Sequence, residues 1–303
     1  MRAGHASRTA EHVAFFRALE SAAPAAVRRC EDPLARRFLA PPLSWVASAA
    51  RMPIVFAWVA RYVDRRWPGA RTSAVARTRL LDEAVCAGCA EGAEQLVILG
   101  AGFDARAYRL SALRGARVFE VDHPATQERK RSALLRALGA LPEGVRFVAT
   151  DFAGRDLERA MAEAGYEPSR RTLILWEGVT NYLRADAVDA TLRWCARAAP
   201  GSLLLFTYVH ADVLVHPDAF FGTRRLFATL AAAGEPWTFG LDPAKLARFL
   251  EARGLALERD LGAAEYRRLA YGEAAARMRG YEFYRIAAAR VVDRASHAAP
   301  APA

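Results

Sequence analysis

Five short unbroken apolar runs mark the middle of the chain: 95–99 (QLVIL), 116–121 (ARVFEV), 145–149 (VRFVA), 172–176 (TLILW) and 202–206 (SLLLF). Runs of this length suit strands covered on both faces, as in a parallel sheet. Between them apolar residues recur at helical spacing, over 105–113, 124–138, 156–165 and 186–198. Strands alternating with helices of that length predict right-handed βαβ units and an α/β fold, a doubly wound, mostly parallel sheet. The first ninety residues read as helices instead. Thr9 stands where it can cap a helix through Val13, Phe16 and Leu19, and a second helix is expected over 74–90. The apolar segment 41–60 is cut by Pro53 and carries Arg51. It predicts buried helices, because a membrane span needs about 20 uninterrupted apolar residues.

After the fifth strand the rhythm breaks. Residues 208–240 hold Phe220, Phe221, Phe227, Trp237 and Phe239, and read as an insertion over the carboxyl edge of the sheet. Asp242 and Pro243 open a helix over 241–253, and strands are expected at 256–259 and 281–291. The expected organisation is an N-terminal helical region, 1–92, and an α/β domain, 93–296, with 209–240 inserted as a cap. A disordered tail, 297–303, would follow.

Charge and cysteine change this picture little. The net charge is +10, and only Lys130 and Lys245 among the 43 basic residues are not Arg. The arginines are scattered and no basic run is interleaved with aromatics, so no nucleic-acid partner is expected. Cys86 and Cys89 form a CxxC, but no second ligand pair follows at metal spacing. They read as small residues on an Ala-rich helix, and no metal is expected. Free cysteines and an N-terminus without an apolar signal core point to a cytoplasmic protein with no membrane partner.

In an open parallel sheet, ligands bind beyond the carboxyl ends of the strands. Those ends read Gly100-Ala-Gly102-Phe-Asp104, Glu120-Val-Asp122, Thr150-Asp151-Phe152, Glu177-Gly-Val-Thr-Asn-Tyr182 and Thr207-Tyr208. Four of the five carry carboxylates, which would repel one another without a ligand or partners between them. The glycine loop alone fits NAD or S-adenosylmethionine, since Ala105 is allowed at the third position of the dinucleotide fingerprint and Glu120 or Asp122 can take ribose hydroxyls. Asp104 argues for the second cofactor. A carboxylate at a helix start repels a pyrophosphate but suits a sulfonium and an ammonium. The cofactor's own carboxylate then needs a cation, which Arg77 or Arg79 can supply.

The blocks Ala76-Arg77-Thr78, 97–110 (VILGAGFDARAYRL), 118–130 (VFEVDHPATQERK), 147–152 (FVATDF) and 177–183 (EGVTNYL) resemble the leucine carboxyl methyltransferase-like family of class I methyltransferases. The likeness covers 73–208, and the order and spacing of the blocks carry it. One departure is Ala105, where the family often has Thr. The resemblance implies S-adenosyl-L-methionine as cofactor. Arg77 would pair with its carboxylate, Gly100 and Gly102 would admit its methionyl part, and Asp122 would hold the ribose. Asp151 and Phe152 would meet the adenine, and Glu177 the amino group. It also implies methylation of carboxyl groups, on protein termini or small molecules, and in some members of hydroxyls.

A carboxylate acceptor is already ionised at neutral pH and needs no base; a hydroxyl does. His123 and His210 lie nearest the strand ends, and both read as loop residues, so no base is assigned. Tyr182 is the candidate for orienting the acceptor. The aromatic content of 220–239 suggests a small, largely apolar acceptor, with Arg224 and Arg225 placed to draw in an anion. The competing readings are a protein carboxyl methyltransferase, an NAD-dependent oxidoreductase and a non-catalytic protein that keeps the cofactor fold.

Overall fold

The computed structural model describes residues 8–150 and 157–293. Seven strands form one sheet in the order β3-β2-β1-β4-β5-β7-β6. They are β1 (Gln95–Leu99), β2 (Arg117–Asp122), β3 (Val145–Ala149), β4 (Thr172–Trp176), β5 (Leu203–Val209), β6 (Leu255–Leu261) and β7 (Tyr284–Val291). The first five run parallel, while β7 is antiparallel to both β5 and β6. Strand order reverses at β1, which lies between β2 and β4. That is the switch point beside which a doubly wound sheet opens a crevice.

Helices before the sheet are α1 (Arg8–Ser21), α2 (Leu43–Ala49), α3 (Pro53–Arg66) and α4 (Ala70–Ala90). Within it come α5 (Arg106–Arg109), α6 (Pro124–Leu138), α7 (Leu157–Glu163) and α8 (Ala185–Cys195). After β5 follow α9 (Asp212–Val215), α10 (Thr223–Ala233), α11 (Leu246–Glu251) and α12 (Ala263–Tyr271). Asp242 caps the turn before α11 by accepting the Ala244 amide at 3.0 Å.

Successive strand residues face opposite sides, which explains the unbroken apolar runs. Leu96, Ile98, Leu173 and Leu175 pack with Val75, Leu81 and Val85 of α4 and with Tyr266 of α12. Val97, Leu99, Ile174 and Trp176 pack on the other side with Met161, Val188, Leu192 and Leu250. Each such side chain contributes roughly 1.5–3 kcal/mol when fully buried.

Two expectations need correction. The segment 41–60 is not a pair of buried helices. Trp45, Met52, Ile54 and Trp58 are exposed, and of residues 41–60 only Ala47, Ala50 and Ala60 are buried. Thr9 is not an outlying cap, since it sits inside α1 and its hydroxyl donates to Glu235. The aromatics of the insertion lie at the carboxyl edge of the sheet, where Tyr284 pairs with Val209 at the end of β5, and turn inward there. Phe220, Phe227 and Trp237 pack against the core around Phe283 and Tyr284. No described helix is long and apolar enough to cross a membrane.

Candidate active site

A cavity of about 960 Å³ opens beyond the carboxyl ends of β1, β2, β3 and β4. Its floor is the turn after β1. Gly100 has φ +67°, and a Cβ there would stand 2.3 Å from Val179 Cγ2. Only glycine meets both conditions without displacement. Gly102, at φ +43°, donates its amide to the Asp122 carboxylate, whose other oxygen accepts the His123 amide at 2.6 Å. Burial pushes the Asp122 carboxyl up, and these two amides work against that shift. Asp122 thus ties the end of β2 to the glycine turn while lining the cavity.

Arg106 compensates the carboxylates that crowd this edge. Its guanidinium contacts Asp104, lies 2.7 Å from Asp82 and 3.0 Å from Glu177, and is itself buried. Asp104 also accepts the Arg106 amide at 2.7 Å. Burial works against the Asp104 anion, but Arg106, Lys130 and Arg17 outweigh it and hold the carboxyl down at about 2. The charge argument drawn from Asp104 needs correction accordingly: its carboxylate is already paired, and α5 is only four residues long.

Glu120 is placed differently from Asp122. It is buried behind the cavity, with Lys130 Nζ at 2.7 Å, and it is not among the lining residues. Burial raises its carboxyl to about 7, with Lys130 opposing the shift. Asp122 reaches the cavity and Glu120 does not.

Arg77 projects from α4 into the cavity, with its guanidinium 4.3 Å above the Tyr284 ring and Nε 3.6 Å from Glu177 Oε1. That Nε makes no hydrogen bond among the described residues. Arg79, the alternative, faces away: it pairs with Glu83 at 2.8 Å and donates to the Ala270 carbonyl. Asp151 and Phe152 lie outside the described residues. Thr150, just before them, lines the cavity and donates its amide to the Asp122 carbonyl at 3.0 Å.

The remaining wall comes from α1, the segment after β4, and α8. Thr9, Ala10, Val13 and Arg17 face the cavity from α1; Leu183, Ala187 and Ala190 face it from the other side. Arg17 is buried, pairs with Asp32 at 2.8 Å and donates to the Phe103 carbonyl, so α1 clamps the glycine turn. Of the insertion 209–240, only Glu235 lines the cavity. It accepts the Arg8 amide at 2.9 Å, the Thr9 amide at 3.2 Å and the Thr9 hydroxyl, and so fixes the start of α1. Arg224 pairs with Asp218 on the surface, and Arg225 donates to the Arg65 and Arg66 carbonyls. Neither lines the cavity, so the expected anion lure is absent there.

Tyr182 lines the cavity, and its buried hydroxyl makes no hydrogen bond among the described residues. Burial raises the phenol, which therefore keeps its proton at neutral pH. His123 also lines the cavity, but its Nδ1 accepts the Ala125 amide at 3.3 Å as the cap of α6. His210 lies elsewhere, against Phe220 and Asp212. Cys86 and Cys89 are free thiols on α4, and no group of three or more metal-ligating side chains occurs among the described residues.

Arg106, Arg17, Tyr284 and Glu235 were not among the expected site residues. Only Arg106 carried a signal, two positions beyond Asp104 in the block that bears the family resemblance.

The leucine carboxyl methyltransferase family profile matches residues 10–196. A Streptomyces coelicolor protein is 38% identical over 200 residues, which are 66% of this chain and 68% of that protein. A Frankia alni protein is 35% identical over 202 residues, 66% of this chain and 67% of its own length. Both are named, provisionally, as S-adenosyl-L-methionine-dependent methyltransferases. Among solved structures, a DUF574 family protein from Streptomyces avermitilis superimposes with TM-score 0.60 at 16% identity. The match covers 95% of this chain and 98% of that one. At that identity the likeness is one of fold.

Proposed function

Since this chain belongs to the leucine carboxyl methyltransferase family and is an S-adenosylmethionine-dependent methyltransferase, we propose that it methylates an oxygen, a carboxylate or an acidic hydroxyl, on a small and largely apolar molecule. The observation that carries this reading is the make-up of the cavity. Charged groups and the glycine turn line one part of it, while Ala10, Val13, Val179, Leu183, Ala187 and Ala190 supply an aliphatic wall. Small-molecule sites combine such apolar walls with a few placed polar groups.

The residues present fit the cofactor on two counts. A buried Arg77 Nε without a hydrogen bond, 3.6 Å from Glu177, is a donor free to take a closer carboxylate, and the turn through Gly100 and Gly102 brings bare backbone to the cavity floor. In our reading Arg77 holds the cofactor's carboxylate, Glu177 its ammonium and Asp122 its ribose hydroxyls. Gly100 and Gly102 admit the methionyl chain, and Asp104 acts through Arg106. Asp151 and Phe152 are assigned to the adenine on the family resemblance alone. When bound, S-adenosylmethionine supplies an electrophilic methyl group whose carbon–sulfur bond breaks as a bond to the acceptor oxygen forms.

The chain's own part is alignment and exclusion of water. α1, pinned by Glu235 and Arg17, closes one wall of the cavity. Tyr182, protonated and otherwise unpartnered, can donate to an acceptor oxygen and fix its lone pair in line. An ionised carboxylate needs nothing more; an acidic hydroxyl enters as its anion, having given its proton to bulk water before the methyl group moves. The test is calorimetry with S-adenosylhomocysteine, then mass spectrometry on a panel of aliphatic and aromatic acids, phenols and peptide C-termini. Methylation of peptides alone would replace this reading with that of a protein carboxyl methyltransferase.

A further inference from the structure

The strongest feature outside the active site is the surface made by α2, α3 and their junction. Trp45 is 69% exposed, Met52 62%, Ile54 74%, Trp58 75% and Tyr62 64%. Ile54, Trp58 and Tyr62 lie at i, i+4 and i+8 of α3, so they line one face, while Ala60 and Val63 are buried on the opposite one. Arg61 and Arg65 fall on the same exposed face, and Arg51 stands at its entry. No ion pair engages these three arginines among the described residues.

The charge pattern is one-sided. Residues 33–63 contain no Asp or Glu, although the chain carries 33 in 303, or about one in nine. The same stretch holds Arg36, Arg37, Arg51 and Arg61. Exposed tryptophan, tyrosine and isoleucine beside arginines without an ion pair, with the one carboxylate of α3, Asp64, already held by Arg71 at 2.7 Å, match an interface that is apolar below and anionic above. Interfacial helices combine an apolar face with flanking basic residues in this way, and Trp and Tyr favour the headgroup level. A second copy of this chain fits less well. A two-fold contact would set the same acid-free arginines against one another. Nucleic acid fits less well too, because the centre of the patch is aliphatic and aromatic rather than basic.

We propose that this face docks the protein reversibly on an anionic lipid surface, with α3 lying in the interface, Trp45, Ile54 and Trp58 inserted, and Arg51, Arg61 and Arg65 against the phosphates. This is surface attachment, distinct from spanning, and it holds whatever the methyl acceptor is. α3 is 14 residues and about 21 Å long, enough to lie in an interface. It also ends beside the active-site wall: Trp67, the residue after α3, packs against His12 of α1 at 6.2 Å, and Arg225 of α10 donates to the Arg65 and Arg66 carbonyls.

The experiment is co-sedimentation of the full chain with phosphatidylcholine vesicles, with and without phosphatidylglycerol, at low and high salt. Binding is expected only to the anionic vesicles and should weaken as salt shortens the screening length. Replacing Arg51 and Arg61 together by Ala should lower partitioning on the order of twentyfold, since each basic group near such a surface contributes roughly fivefold. Trp58→Ser should lower it as well. Both variants should keep the wild-type affinity for S-adenosylhomocysteine and the wild-type unfolding midpoint, because none of these side chains is buried. Absence of binding to anionic vesicles at low salt overturns the proposal, as does equal binding to neutral ones. A wild-type dimer that Trp58→Ser converts to a monomer also overturns it and assigns the face to self-association.

Discussion

Arg106 and Glu177, 71 positions apart, meet at 3.0 Å beneath the cavity, and the same guanidinium also holds Asp82 and Asp104. One buried cation thus links three carboxylates drawn from α4, the glycine turn and the end of β4, with Arg109 also on Asp82 at 2.7 Å and Arg77 3.6 Å from Glu177. Removing it takes away the one group that contacts all three, and leaves Asp104 without its directly paired guanidinium in a poorly hydrated place. Arg106→Met is therefore expected to cost on the order of 3–5 kcal/mol, the range for breaking a buried ion pair from one side. Urea denaturation measures this, and a loss below about 1 kcal/mol would show that the network is replaceable by water.

How far the sequence discloses such a site depends on the range of the interactions. β1, β3 and β4 begin and end at the residues their apolar runs mark; in β1 and β4 burial on both faces leaves no polar position to blur the edges, whereas β3, at the edge of the sheet, exposes Arg146. The turn at Gly100 and the acidic ends of β2 and β4 are also local signals. The partners of those acids are not. Arg106 joins segments 24 and 71 residues away, and Glu235 reaches the start of α1 across 226 positions. Nothing in the spacing of either residue announces its partner. The segment 41–60 misled for another reason: an apolar face looks the same in sequence whether the protein or another phase covers it. The aromatics of 220–239 misled similarly, since packing on Phe283 and lining a pocket need the same side chains.

The Asp122 carboxylate accepts the Gly102 amide and also faces the cavity. Asp122→Ala should weaken S-adenosylhomocysteine binding by on the order of 1.5–3 kcal/mol, the scale of a hydrogen bond to a charged group. Asp122→Asn keeps an oxygen for Gly102 but loses the charge, so its loss should be smaller. Calorimetry giving equal, unchanged affinities for both variants would remove Asp122 from the ribose site.

Arg77 carries a fork of donors, and Lys cannot reproduce its bidentate geometry. Arg77→Lys should weaken S-adenosylhomocysteine but leave 5′-methylthioadenosine unaffected, because the second ligand lacks the amino-acid end. Competition titrations of both ligands against both proteins isolate that coupling. Equal losses for the two ligands would mean that Arg77 acts on the fold rather than on a carboxylate.

Two buried carboxyls predict opposite responses to pH. Asp104 is held down at about 2 from an ordinary 3.8, so its contribution is present above the unfolded value and is lost as pH falls through that window. Asp104→Asn should flatten the acid limb of stability there, by about 2 kcal/mol in total. Glu120 is raised to about 7 from 4.5, so the folded state keeps a proton that the unfolded chain releases. Its contribution is present below the unfolded value and is lost as pH rises through about 7. Glu120→Gln should remove that decline, whatever it does to the absolute stability through Lys130. Unfolding free energies across both windows check the two slopes, and parallel profiles for wild type and variants would refute the assignment.

Gly100 is constrained twice, and a pair of substitutions separates the two constraints. Its φ of +67° is a left-handed backbone, which costs a residue with a Cβ roughly 1–2 kcal/mol. The new Cβ would also overlap Val179 Cγ2 at 2.3 Å, and overpacking of that kind costs roughly 1–3 kcal/mol. Gly100→Ala should therefore lower stability by the sum of the two and weaken S-adenosylhomocysteine, since the turn and Val179, which both line the cavity, must shift to admit the methyl group. Val179→Ala removes the obstructing methyls without touching the backbone. In the double variant the overlap should vanish while the backbone cost stays, so stability should recover in part and cofactor affinity by less. Full recovery of both would mean that the left-handed turn is dispensable and that sterics alone fix the glycine. No loss in Gly100→Ala itself would mean that the turn can relax, and the fit read from this glycine would then have no physical basis.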